Sequence, residues 1–314
     1  MAGPDSAFVL QFETSYDLKF QQLMARLEND VRVKPASNST MTAFGLMDPS
    51  DVQDITGVRL GLTQWSQDLS SRRWAVKRDY AVNKALDQSD DLAIILDLQM
   101  GYMANAIGGM NRKKDKVLID AVTGIAQAGV NGTDTATFDT AAPNADGSGG
   151  NQIAVGTTGL TPDKMREARA VFDAREVGLD GLEMGLQEFV WVTSPKGHRD
   201  MMEFTEATTT DYLGVQIVSG ELRTSRMPLV HGRIPYYMGF RIKISNQLNT
   251  TSSNRLNLAW HKDAMGFGRW GAERKVRTAE LIEHNLAMGL VVQEHFGATR
   301  IQDKGVLAIV CDET

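Results

Sequence analysis

Residues 89–129 read SDDLAIILDLQMGYMANAIGGMNRKKDKVLIDAVTGIAQAG. Leu92, Ile95, Leu96, Met100, Met103, Ala106, Ile107, Met110, Val117, Leu118, Ala121, Val122 and Ile125 recur mostly three and four positions apart, the period of an amphipathic helix. Ser89 offers an N-cap, Asp90 and Asp91 put negative charge in the first turn where the helix dipole favours it, and Gly129 suits a left-handed residue past the far end. At 1.5 Å per residue such a spine spans roughly 60 Å. Gly108-Gly109, at about 1 kcal/mol per glycine against alanine, predicts a kink or two collinear helices. A rod this long with one apolar side needs a sheet to lie on, which points to a flat or elongated protein.

Upstream of the spine, Phe8, Phe12, Tyr16, Phe20, Leu23, Met24 and Leu27 follow helical spacing, so residues 6–31 are expected to form a helix at the start of an arm. From 33 to 61 the pattern is broken by Pro35, a Ser37-Asn38-Ser39-Thr40 run and Asp48-Pro49, which predicts extended chain that needs a surface, one that a neighbouring copy can supply. Residues 62–86 alternate Trp65, Trp74, Val76, Tyr80 and Val82 with polar neighbours around a turn at Asp68-Leu69-Ser70-Ser71, the pattern of a long β-hairpin. Arg72, Arg73, Lys77 and Arg78 crowd its return strand, a solvated face or a complement to an acidic partner, and a lone hairpin is marginal in water.

Downstream, residues 131–159 are rich in Thr, Gly, Ala and Asn, as in a loop or exposed hairpin. Their glycine run lacks the Gly-Lys-Ser/Thr ending of a phosphate loop. Thr161-Pro162 and Ser194-Pro195 each open a helix by a capping residue followed by proline, with Met165, Ala168 and Phe172 on one face of the first. A short apolar strand over 188–193, strands around Gly232 and Gly239 and another over 256–260 make a second, α+β lobe, and the ending over 275–311 is strand-rich. The last strands are expected to give the spine its sheet.

The 314 residues, 42% hydrophobic, suffice for a substantial core in two domains or one elongated domain. A net charge of -6 gives no electrostatic reason to grip nucleic acid or an anionic membrane. The single Cys311 leaves stability to packing and fits a reducing compartment. No membrane span and no secretion signal is expected.

No catalytic constellation assembles. His198, Asp200 and Glu203 are the one tight cluster of metal-type residues, but residues five apart on a helix diverge by about 140°. His231, His261, His284 and His295 are isolated, Cys311 has no marked base, and the nucleophile elbow of serine hydrolases is absent. Neither metal nor cofactor is expected. Arg112-Lys113-Lys114 with Lys116 reads as a solvated helix face, or as a contact with an acidic subunit or packaged nucleic acid.

The order of elements resembles the major capsid (coat) proteins of tailed double-stranded DNA bacteriophages, with the Hong-Kong-97-type fold. The stretches that carry the likeness are 73–90, 110–124 with its Asn111-Arg112-Lys113-Lys114-Asp115, Gly159-Leu160-Thr161-Pro162-Asp163-Lys164, 234–244, 258–264 and Phe296-Gly297-Ala298-Thr299-Arg300-Ile301. The resemblance implies an α+β subunit with an N-terminal arm over 1–61, an extended hairpin loop over 62–88, a peripheral domain from 89–158 and 275–314, and an axial domain over 159–274. It implies a structural protein, not an enzyme, that forms hexamers and pentamers of an icosahedral head assembled in the host bacterial cytoplasm. Portal and scaffolding proteins, a decoration protein and weakly held packaged DNA would be its partners. Candidate interface residues are Trp65, Arg72, Arg73, Trp74, Lys77 and Arg78 on the hairpin and Phe8, Phe12 and Tyr16 on the arm. The family's inter-subunit crosslink needs a lysine, an asparagine and an acid, a trio that the sequence does not place. An encapsulin-like nanocompartment shell is the alternative of the same fold, and a soluble metal-dependent hydrolase using His198 and Asp200 the alternative of another class.

Overall fold

The helical pattern folds as one unbroken helix, α1 (Leu98–Thr123), with Ala106, Met110, Leu118, Ile119 and Val122 buried. This computed structural model describes residues 20–47, 70–86, 98–144, 146–156, 158–178, 189–207, 234–284 and 287–313. The expected start of the spine at 89–97 lies outside them. Its end differs from expectation: the helix stops at Thr123, and Ala126–Ala128 is already a strand. Gly129 does take the left-handed conformation, φ 84°, but in the turn after that strand. Nor is there a break at Gly108-Gly109. Hydrogen bonds along the helix outweigh the propensity cost of two glycines, and Gly108 lies where a Cβ would sit 3.0 Å from the Leu23 side chain.

Of the described residues, one compact unit draws on Met1–Ala25, Asp79–Lys114 and Gly271–His295, the other on Arg26–Arg78, Asp115–Trp270 and Phe296–Thr314. In the first unit, residues 20–25 run along α1 as extended chain. Asn111 donates to the Leu23 carbonyl (2.6 Å), and Arg112 to the Gln21 side chain (2.7 Å) and the Gln22 carbonyl (2.9 Å). The arm helix expected through residue 31 is therefore absent over 20–27, where the backbone bonds to α1 instead of to itself; one 3-10 turn follows at Glu28–Asp30. Residues 6–19 of that expectation lie outside the described residues. Of the basic run only Lys113 is exposed, with Arg112 and Lys116 half-buried. Lys114 is buried in an ion pair with Glu294 (2.8 Å), Glu294 also pairs with Arg274, and Lys113 lies over the Tyr80 ring.

Among the described residues eight strands come before Pro195: β1 (Arg32–Ala36), β2 (Met41–Met47), β3 (Ser70–Val76), β4 (Arg78–Leu86), β5 (Ala126–Ala128), β6 (Asp134–Ala136), β7 (Gln152–Ile153) and β8 (Phe189–Thr193). Helices α2 (Pro162–Ala174) and α3 (Pro195–Ala207) flank β8. Then follow β9 (Tyr236–Tyr237), β10 (Phe240–Ile244), β11 (Thr250–Thr251), β12 (Asn254–His261), β13 (Met265–Leu281), β14 (Ala287–Arg300) and β15 (Val306–Asp312).

The main core of the second unit is a seven-stranded sheet in the order β7-β15-β12-β8-β10-β9, with β11 paired to β12. Its β8 is buried along its whole length. Both helices start as their sequences dictate. Thr161 accepts from the Lys164 amide at the head of α2, and Ser194 from the Gly197 amide (2.9 Å) at the head of α3. Met165, Ala168 and Phe172 enter the core, where Phe172, Phe189, Trp191 and Phe240 pack with ring centroids 5.1 to 6.1 Å apart. The buried Lys164 ammonium is held by the carbonyls of Val155 (2.7 Å), Thr158 (2.8 Å), Gly159 (2.9 Å) and Val310 (3.2 Å). Strand β15, expected under the spine, instead pairs antiparallel with β12 from Asn254↔Asp312 to Trp260↔Val306.

A second sheet runs β1-β13-β14-β4, and a third β2-β3-β5-β6. The long hairpin expected over 62–86 is thus corrected: β3 pairs with β2, in register from Met41↔Val76 to Met47↔Ser70, and β4 with β14. Ser70 and Ser71, read as a turn, begin β3, and residues 62–69 lie outside the described residues. The physical reason lies in β2, whose alternating Thr42 and Phe44 bury one face of the β2–β3 ribbon against glycines. A Cβ on Gly266 would meet the Phe44 ring at 2.8 Å, one on Gly268 would meet Thr42 at 2.8 Å, and one on Gly297 would lie 2.0 Å from the Val76 carbonyl oxygen. The extended chain at 32–47 accordingly finds its surface on its own strands: β1 lies parallel to β13 from Arg32↔Gly266 to Ala36↔Trp270.

Gly297→Ala should therefore destabilise the unassembled subunit by about 2–3 kcal/mol in urea unfolding. Gly45→Ala, on the β2–β3 ribbon itself with nothing within 4 Å of its Cβ position, should be neutral or slightly stabilising.

Candidate assembly site

The ribbon residues expected to face a neighbour divide into two groups. Arg72 and Arg78 are exposed. Arg73, Trp74 and Lys77 are half-buried: Arg73 donates to Asp303 (2.8 Å), the Trp74 indole to the Gly129 carbonyl (2.8 Å), and the Lys77 amide to the Thr40 carbonyl (2.9 Å). Trp65, Phe8, Phe12 and Tyr16 lie outside the described residues.

Asp303 leads to a group that the sequence reading passed over. Its other oxygen accepts from Nε of Arg300, a residue with no exposed surface. The Arg300 guanidinium also donates to the carbonyls of Val122 (2.8 Å), Gly124 (2.9 Å) and Ala136 (3.2 Å) and lies over the Phe138 ring. The carbonyls at the end of α1 carry the negative end of the helix dipole, and a cation there satisfies both. One signal for Arg300 was legible: an arginine amid the apolar residues of 296–301.

Around the ribbon, exposed apolar side chains of the second unit include Met47, Ile125 and Val130; in the first unit Phe20, Met24 and Ile282 are exposed. Such residues, scattered in a monomer, are ordinary, but in a subunit that meets copies of itself they are candidate contacts.

The residues expected to be the best enzyme candidates serve the fold. His198 is buried and its Nε2 accepts from the Ile234 amide (3.2 Å). Asp200 accepts from the Leu160 amide (3.4 Å), and Glu203 pairs with Arg199 on the surface. His261 accepts from the Asp263 amide, and His295 pairs with Asp79. Among the described residues no group of three His, Cys, Asp or Glu side chains is placed to hold a metal, and no helix is long and apolar enough to cross a membrane. Burial pushes the Cys311 thiol up to about 11, against the pull of the Lys164 ammonium 4.0 Å away, so it is an unreactive thiol at neutral pH. Burial also lowers the pKa of Lys164.

A lysine, an asparagine and an acid do meet within this one chain. Lys116 donates to Asn249 (2.5 Å) and pairs with Asp120 (3.0 Å), which accepts from Asn249 (3.2 Å). Half of the Asp120 side chain is open to solvent, and the trio joins α1 to the loop before β11 as an ion pair and hydrogen bonds.

A family model described as phage capsid protein matches residues 5–313. The chain belongs to the phage capsid protein family. Its fold agrees with that of solved phage capsids over almost the full length. The capsid of Ralstonia phage GP4 aligns with a TM-score of 0.70 at 12% identity, covering 100% of this chain and 97% of that one. The capsid of cyanophage P-SCSP1u aligns at 0.67 and 15% identity (100% and 95%), and the capsid of a native GTA particle at 0.67 and 11% (99% and 99%). No curated protein matches the chain. The α+β architecture is consistent with the Hong-Kong-97-type capsid fold, and the role of this capsid protein is structural.

Cys311 in the native subunit should resist iodoacetamide at pH 8 and react once the chain is unfolded. A raised thiol pKa favours the folded state fully below the unfolded value of 9.0 and loses that advantage as pH climbs towards 11. Relative to Cys311→Ala, the protein should lose stability across that window, on the order of 2–3 kcal/mol in denaturant titrations at each pH.

Proposed function

We propose that this capsid protein assembles into hexamers and pentamers of an icosahedral head that encloses phage double-stranded DNA. The observation that carries the reading is the family match across residues 5–313, joined to capsid folds that cover the same length. The charge balance supports it: at -6 the subunit is suited to a wall that touches packaged DNA weakly and without sequence preference. In this reading residues 1–61 form an arm, 62–88 an extended loop, 89–158 with 275–314 a peripheral domain and 159–274 an axial domain, except that β15, within 275–314, joins the axial strands through β12. Exposed Arg72 and Arg78 meet a neighbouring copy, together with Trp65, Phe8, Phe12 and Tyr16. Portal and scaffolding proteins, and a decoration protein, are further partners of the shell, which forms in the host cytoplasm.

Sedimentation velocity tests this directly. The purified protein should run as rings or megadalton shells, visible as closed particles by electron microscopy; a well-behaved monomer at micromolar concentration would refute the reading.

A further inference from the structure

Arg73 carries a charge on a ribbon expected to touch neighbours, yet its guanidinium is turned inward. We propose that Arg73 and Asp303 are positioning residues for shell closure: together they set the direction in which the β2–β3 ribbon leaves the subunit, and Arg73 does not itself contact another copy. The inference rests on the shell reading above.

The geometry is a short chain of contacts within one unit. Arg73 stands in the middle of β3, opposite Phe44 on β2 and Ala128 on β5. Its Nη2 donates to Asp303 Oδ2 at 2.8 Å, with only 16% of the Arg73 side chain exposed. Asp303 Oδ1 accepts from Arg300, and Arg300 holds the terminal carbonyls of α1. One carboxylate thus ties the ribbon to the end of the long helix. The ribbon's other supports are of a different kind: the Trp74 indole on the Gly129 carbonyl, and the glycine seat under Phe44, Thr42 and Val76. Thr42, Trp74 and Val76 lie nearer the base of the ribbon, and at the level of Arg73 and Phe44 the shared carboxylate adds a polar tie beside the apolar seat. The far end of the ribbon presents exposed Met47 and Arg72.

Angle matters more than affinity for such a part. A head-to-tail contact repeated around a ring closes only if the rotation between copies is right, and otherwise yields open polymers. The Arg73–Asp303 pair, with a partner 38% exposed, adds little to stability, so loss of the Arg73 charge should leave the subunit folded and its ribbon misdirected.

The test compares the parent, Arg73→Met, Asp303→Asn, the double variant and Arg73→Lys in one assembly reaction. Shell yield and diameter are read by sedimentation and electron microscopy, and the melting temperature of the unassembled subunit is measured beside them. Arg73→Met should melt within about 3 °C of the parent; Asp303→Asn, which also takes the carboxylate from buried Arg300, should melt lower while still unfolding in one cooperative transition. Each of these two should lose about tenfold or more in closed shells of uniform diameter, with sheets, tubes or mixed sizes in their place. The double variant should be no worse than Asp303→Asn alone, because Arg73 acts through that carboxylate, and Arg73→Lys should retain most of the yield. Parental yield and diameter from Asp303→Asn would overturn the proposal, as would a double variant that multiplies the two losses, since Arg73 would then act elsewhere. A parent that forms no shells defeats the shell reading itself; shells from parent and Asp303→Asn alike defeat only the positioning role.

Discussion

The Arg300 guanidinium, withdrawn from water, is the interaction on which the rest is arranged. Burying an arginine costs several kcal/mol unless its donors are met, and the last carbonyls of a helix are equally costly to leave bare. At the end of α1 each need answers the other. With those carbonyls taken, the chain is released at Thr123 into β5 instead of continuing as helix. Strand β5 then receives β3, and β3 receives β2. A second buried charge does comparable service in the same unit. Asp30, with no exposed surface, faces Arg241 and Lys243, while the Trp260 indole bonds to its carbonyl. Asp115 accepts from the amides of Arg26 and Leu27. Residues 26–31 are thereby fixed against β10, β12 and α1.

What was legible in the sequence was what is decided nearby. Thr161-Pro162 and Ser194-Pro195 start helices because the hydroxyl reaches an amide three residues on, and the strand over 189–193 is written in consecutive apolar residues. The errors fall where the partner is remote. Phe20, Leu23 and Leu27 have helical spacing, but side chains of α1 some ninety residues away compete for the same backbone and win. Strand β3 had two candidate partners, and the choice of β2 rests on glycines at 266, 268 and 297 that give its inner face a seat. Lys114 looked like part of a solvated run because its partner, Glu294, is 180 positions on.

The expectation that the chain before Leu86 depends on sibling copies for cover also needs revision over the described residues. Leu27, Val31, Phe44 and Ala75 are buried by the chain itself. Membership of a capsid family is thus compatible with a well-satisfied subunit. Among the described residues of the second unit the exposed large apolar side chains are Val33, Met47, Ile125 and Val130.

Strand β15 lies inside the seven-stranded sheet, between β7 and β12, although it follows every other strand of that sheet in the chain. During synthesis the aromatic layer under α2 and α3 therefore stays open along one row of backbone groups until this latecomer is inserted. A growing polypeptide therefore cannot complete this body until β15 has left the ribosome, so the sheet closes late in synthesis however early its other strands emerge.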